Sequence, residues 1–165
     1  MPHSQVTVRV RRPAEVVFEA IEGHTRHNVP AWEPEVLEVR PVSPGPLQVG
    51  SRVTMVRKES GRVQTTTYEI TAFDRPRRIA ARHLDGPMGF AIDFAVRPAH
   101  GGTSDVTVTV DMTLRGPMRL LTPLFALMGP RRNAGIAHRM VAAIEADTAP
   151  ERVTEPARAA SAGSE

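Results

Sequence analysis

The sequence predicts an α+β domain: a curved antiparallel sheet of about seven strands wrapped on a long C-terminal helix, with two short helices after the first strand. Three observations predict it. Much of the chain up to Arg115 falls into short segments that alternate apolar and polar residues, the period of a strand with one buried face. Turns rich in Pro, Gly and Asp separate these segments, and strands joined by short turns must run antiparallel. From Gly116 to Asp147 the spacing changes to that of one long helix or a kinked pair, with Leu121, Leu124, Phe125 and Met128, then Ile136, Met140, Ala143 and Ile144. Such a helix is not stable alone in water, so its apolar stripe must lie on the sheet that precedes it.

Gln5 to Arg11 sets Val6, Val8 and Val10 against Thr7, Arg9 and Arg11, and predicts the first strand. Pro13 suits the first turn of a helix running to about Glu22, with Val16, Val17, Ala20 and Ile21 inward and Gly23 at its end. Thr25 to Pro30 reads as a second helical turn. Strands follow over Glu35 to Val42, Ser51 to Lys58 and Arg62 to Phe73, the last rich in β-branched residues. Ser43-Pro44-Gly45-Pro46 and Ser60-Gly61 supply their turns. Arg78 to Leu84, Met88 to Arg97 and Asp105 to Arg115 complete the meander, joined at Asp85-Gly86-Pro87 and His100-Gly101-Gly102. Within the long helix, Gly129-Pro130 predicts a kink or break, since Pro130 removes a backbone donor and crowds the preceding turn.

A chain of 165 residues fits one domain, assigned to residues 1–147. Residues 148–165 are aperiodic and rich in Ala, Arg, Glu and Ser, the composition of a disordered tail. No apolar run reaches the ~18 residues of a membrane span, and the N-terminus alternates from the start without the apolar core of a secretory signal. A cytoplasmic location is therefore expected. With no cysteine, disulfides and thiolate chemistry are excluded. The pI near 10.4 does not indicate nucleic-acid binding: the net charge is only +3, Lys58 is the sole lysine, acidic residues are interspersed, and aromatics for base stacking are few.

Several segments, in order, resemble the polyketide cyclase/dehydrase and lipid-transport group of the SRPBCC (START-like) superfamily, whose fold is the helix-grip or Bet v 1-like fold. They are Arg12-Pro13-Ala14-Glu15-Val16-Val17-Phe18, Pro30-Ala31-Trp32-Glu33-Pro34, and Ser43-Pro44-Gly45-Pro46-Leu47 with Val49-Gly50-Ser51. Tyr68-Glu69-Ile70-Thr71 with Pro76-Arg77-Arg78, and Gly101-Gly102-Thr103, complete the set. The likeness spans roughly residues 3–147. It implies a cavity between sheet and long helix that receives a hydrophobic small molecule, such as a lipid, polyketide or quinone. It does not imply a shared reaction, because members of the group differ in whether they cyclise, carry or regulate.

Alternation assigns the inward face: Val53, Met55 and Arg57, then Gln64, Thr66, Tyr68 and Ile70, then Ile79, Ala81 and His83. Phe90 and Phe94 share one face of the sixth strand, and Met112 lies on the apolar face of the seventh. With Trp32 from the second-strand entry and Leu121, Phe125, Met128 and Met140 from the helix, these make the candidate ligand-binding set. Methionines suit an irregular guest, although they are also ordinary core filler. Arg57, Tyr68 and His83 are the polar members. They are candidates for holding a ligand carbonyl or carboxylate, or, in an enzyme, for acid–base work by Tyr68 or His83 with Arg57 stabilising an enolate. A plainer arrangement leaves Arg57 and His83 at the solvent-facing rim of the sheet and only Tyr68 in the cavity, and strand ends favour it. Trp32 is expected chiefly to wedge the small helices against the sheet.

No metal or cofactor is expected. Glu22, His24 and His27 approach metal-ligand spacing, but Gly23 interrupts them and no fourth ligand follows, so they read as a polar surface turn. Gly101-Gly102 joins two strands rather than a strand and a helix, and Ser104-Asp105 lacks the glycines of a nucleophile elbow. Leu120 to Met128 is apolar almost all round, beside Arg119, Arg131 and Arg132. Covering loops, a ligand gate, a homodimer contact or a transient membrane contact would each account for it. The preferred reading is a binding or carrier protein for a hydrophobic small molecule. The alternatives are a polyketide cyclase or dehydratase, and an interaction module with a filled core.

Overall fold

The computed structural model describes residues 3–26, 32–59, 61–83 and 88–146. Seven strands form one antiparallel sheet: β1 His3–Val10, β2 Val36–Pro41, β3 Arg52–Glu59, β4 Arg62–Asp74, β5 Arg78–His83, β6 Met88–Ala99 and β7 Thr103–Leu114. Their spatial order is β1-β7-β6-β5-β4-β3-β2. The meander from β2 to β7 therefore runs across the sheet, and β1 closes its far edge against β7 with Val6 opposite Val108 and Val10 opposite Ser104. Register shifts at Val36/Glu38 and Ile70/Ala72 add a residue on one side of the ladder, which bends the strands and deepens the curl. In the β6–β7 turn, Gly101 and Gly102 both take φ near +70°, a conformation that costs a residue with a side chain.

The α-helices among the described residues are α1, Ala14–Arg26, and α2, Thr122–Ala146, the second entered through a 3-10 segment at Gly116–Leu121. α1 runs through Gly23 instead of ending before it. The cost of a mid-helix glycine, about 1 kcal/mol, is outweighed by burial on both sides of it: Ile21 and His24 are enclosed, and the Thr25 hydroxyl donates to the Ile21 carbonyl at 2.8 Å. The inward stripe of α1 is Ala14, Val17, Phe18 and Ile21, and Val16 points outward. The second helical turn expected over Thr25 to Pro30 falls largely on residues 27–31, outside the described residues, as do the hairpin at 85–87 and the tail.

α2 is continuous across Pro130, so of the kink or break expected there, the break is absent. The change of helix type comes earlier, at Thr122, whose amide donates to the Arg119 carbonyl. Pro130 forfeits one backbone hydrogen bond, while the turns after it are held by the buried Asn133, Ala137, Met140 and Ile144. α2 packs chiefly along β1. Two polar ties fix its angle there: Glu145 accepts from the Arg11 amide and guanidinium at 2.8–3.1 Å, and Asn133 Nδ2 donates to Ser4 Oγ at 3.1 Å. The core, with Val10, Val17, Phe18, Ile21, Ile70, Ile79, Val96, Val106 and Met140 fully enclosed, gathers where α1, the curl of the sheet and the C-terminal half of α2 meet. Toward the N-terminal half of α2 the packing opens.

Candidate functional site

Between the sheet and α2 lies a cavity of about 790 Å³. Strand alternation supplies its floor: Val53, Met55 and Arg57 from β3, Gln64, Thr66 and Tyr68 from β4, and Ile79, Ala81 and His83 from β5. Phe90, Ile92 and Phe94 follow from β6, and Val108, Val110 and Met112 from β7. The roof is the 3-10 residue Met118 together with Ala126, Gly129, Pro130, Asn133, Ile136, Ala137 and Met140 of the helix. The small residues Ala126 and Gly129 and the ring of Pro130 leave the roof thin where a leucine would fill the space.

The wall nearest the β2–β3 edge is polar. Arg57 donates to Glu33 Oε2 at 2.5 Å, and the ring of His24 stands 3.6 Å from Glu33 Oε1. All three side chains are largely enclosed, and all line the cavity. Burial pushes the Glu33 carboxyl upward, but the hydrogen bond and charge of His24 with the charges of Arg57 and Arg132 outweigh it, holding the carboxyl below the usual carboxylate range. Glu33 is thus an anion at neutral pH. The ring of Trp32 meets His24 edge-on at 5.1 Å, and its carbonyl accepts from Arg139 Nε at 3.0 Å, locking the segment that carries Glu33 onto α2. Arg57 Nε and His24 Nδ1 are buried with no hydrogen-bond partner among the described residues.

A second polar pair lies farther along the sheet. Tyr68 and His83 face each other across the β4–β5 ladder, with ring centroids 5.8 Å apart, and Phe90 meets Tyr68 edge-on at 6.4 Å. His83 Nδ1 donates to the Met88 carbonyl at 3.1 Å, which fixes the ring's orientation. Tyr68 is paired with Val53, and Arg57 with Gln64. Four residues of strand, about 13 Å, therefore separate Arg57 from the Tyr68–His83 pair. The structure brings Tyr68 and His83 together and sets Arg57 with Glu33 and His24 instead.

Of the sequence-predicted set, Met55, Arg57, Tyr68, His83, Phe90, Phe94, Met112 and Met140 line the cavity. Arg57 and His83 are half-buried there, not at the solvent-facing rim where the strand ends put them. Trp32 is a core residue behind His24. Leu121 and Met128 are exposed on the outer side of the helical segment, and the side chain of Phe125 lies outside the described residues. His24 is not on a polar surface turn: it is buried, and Glu22 turns away to pair with Arg75. His27 falls outside the described residues, and among those described no group of three or more side chains could hold a metal ion. Glu33 and His24 are the site residues that sequence reasoning missed. His24 follows Val17 and Ile21 at helical spacing on the buried face of α1, a signal obscured by treating Gly23 as the helix end.

No curated protein matches the sequence. Among solved structures, the fold is similar to a di-domain aromatase/cyclase, BexL, from the BE-7585A biosynthetic pathway (TM-score 0.75, 18% identity), covering 91% of this chain and about half, 48%, of that one. It is also similar to a START superfamily protein from Mycobacterium smegmatis (TM-score 0.70, 15% identity, 87% and 97% covered). A third likeness is to the Zhui aromatase/cyclase from Streptomyces sp. R1128 (TM-score 0.66, 20% identity, 87% and 93% covered). These are likenesses of fold. The family described as polyketide cyclase/dehydrase and lipid transport matches residues 1–155, nearly the whole sequence, and the chain, with its hydrophobic ligand-binding fold, belongs to that family.

Proposed function

We propose that this protein binds and carries a hydrophobic small molecule in the cytoplasm, holding it between sheet and α2. The observation that carries this reading is the cavity itself, about 790 Å³, a size at which a lipid-like or polyketide-like molecule is largely withdrawn from water. Its floor and roof are mostly aliphatic, aromatic and thioether groups, and Met55, Met88, Met112, Met118 and Met140 adjust to an irregular guest better than branched side chains do. The polar pair Tyr68–His83 and the Glu33–Arg57 wall would receive the oxygen atoms of an otherwise oily ligand.

Carriage is preferred to a cyclisation that pairs Tyr68 or His83 with Arg57, for a geometric reason. A general acid or base and the group that stabilises the developing charge must converge on one reacting centre. Arg57 and the Tyr68–His83 pair are about 13 Å apart along the strands, and Arg57 is engaged by Glu33. Native mass spectrometry of the freshly purified chain tests the proposal. A bound hydrophobic mass that is released on denaturation is expected; a chain that carries no such mass and binds no lipid or polycyclic probe added to it would overturn the proposal.

A further inference from the structure

We propose that the outer face of residues 120–131 docks on the surface of an anionic lipid bilayer. Leu120, Leu121, Leu124, Leu127 and Met128 are 84, 44, 52, 65 and 60% exposed. Among the described residues the other exposed large apolar side chains are Val16, Leu37, Val42, Val49 and Val63, separate positions in the sequence. Helical geometry explains how one segment serves two environments. Ala126, Gly129, Pro130 and Asn133 turn toward the cavity, while Leu124, Leu127, Met128 and Arg131 repeat the same spacing two residues earlier, about 200° around the helix. The wall that encloses the ligand on one side thus presents leucines to solvent on the other.

The charges around this face identify the occupant. Eight arginines elsewhere, Arg9, Arg11, Arg40, Arg52, Arg75, Arg77, Arg78 and Arg82, lie within ion-pair distance of a carboxylate, Arg52 and Arg82 sharing Glu69. Residues 112–144 contain five arginines and no Asp or Glu. No carboxylate among the described residues pairs with Arg115, Arg119 or Arg131, which flank the leucines. An apolar stripe bordered by uncompensated cations complements an anionic bilayer, where leucines enter the acyl boundary and guanidinium groups meet phosphate. No helix among the described residues is long and apolar enough to cross a membrane, so the segment lies in the plane of the interface. Docked there, the thin roof over Ala126, Gly129 and Pro130 faces lipid.

Flotation of the full chain with vesicles tests this without any cavity ligand. Recovery is expected with phosphatidylcholine containing about 30% phosphatidylserine, and much less with phosphatidylcholine alone or at about 0.5 M salt. Leu124→Ser/Leu127→Ser and Arg119→Glu/Arg131→Glu each lower the bound fraction about tenfold; circular dichroism and melting stay unchanged because these side chains are exposed. The proposal is overturned if anionic vesicles recover none of the protein, or if either double variant floats as well as the parent. It is equally overturned if vesicles recover nothing while sedimentation shows a dimer that both variants dissolve, which would assign the face to a second copy of the chain. Loss of docking leaves the cavity reading to its own binding test, and an empty cavity leaves the flotation result intact.

Discussion

The guanidinium of Arg57 meets the carboxylate of Glu33 at 2.5 Å inside the cavity wall, with side-chain exposures of only 18% and 12%. Taking two charges out of water is costly, and their attraction compensates only while both are present. Truncating one partner should therefore hurt more than replacing both. Arg57→Met is expected to destabilise the fold by about 2–3 kcal/mol, since it removes the guanidinium from the buried Glu33 carboxylate and leaves it only His24 and the charge of Arg132, whereas adding Glu33→Gln to it should recover most of that loss. Urea denaturation of the two single variants and the double gives the coupling, and strictly additive effects would show that the pair is energetically idle.

The same carboxylate makes stability depend on pH in a stated direction. In the folded chain its pKa lies below the ordinary glutamate range because His24, Arg57 and Arg132 together outweigh burial. Above the ordinary value, about 4.3, Glu33 is ionised both folded and unfolded and its contribution is complete. As pH falls through that value the unfolded chain takes up the proton first, so stability declines, and the contribution is gone once pH passes the lower folded value. Glu38, Asp105 and Glu145 are also held low by arginine partners, so the readout is a difference. Glu33→Gln should show a shallower fall in urea midpoint than the parent below about pH 4.5, and parallel curves would contradict the assignment.

How far the sequence reaches can be judged from these residues. Alternation placed Val53, Met55, Arg57, Tyr68, Ile79, Ala81 and His83 on one face, and each of them lines the cavity, because a period of two allows only two registers and apolar residues choose between them. Two features were not legible. Gly23 and Pro130 look like helix ends when propensity alone is weighed, yet both sit inside helices, where tertiary burial exceeds the local cost. The Arg57–Glu33 contact joins residues 24 positions apart; it follows from the β2–β3 register, which sets Val36 opposite Arg57, and from the Trp32–Arg139 tie, neither of which alternation within one strand reveals.

Filling the hollow should abolish binding without unfolding the chain. Thr66 on β4 is half-buried and lines the cavity, and an aromatic residue suits a strand position. Thr66→Trp adds a large ring where a guest would lie. It is expected to weaken binding of a hydrophobic fluorescent probe about tenfold or more, with stability changed by about 1 kcal/mol or less if the ring enters empty space. Probe titration with parallel urea curves checks it. A large loss of stability with unchanged binding would mean that the ring meets packed side chains and that the probe sits elsewhere.

Replacing Pro130 separates the local cost of the residue from its place in the roof. A proline inside a helix forfeits the bond from its own nitrogen to the carbonyl four residues back, here that of Ala126, and costs about 3 kcal/mol relative to alanine where the helix cannot adjust. Pro130 is exposed and lines the cavity, so Pro130→Ala sacrifices little packing. The variant is expected to be more stable by about 1–3 kcal/mol, and amide exchange along 126–134 should slow as the ladder closes. If urea midpoints and exchange rates are unchanged, the helix has already absorbed the proline, and the open roof must be ascribed to Ala126 and Gly129 alone.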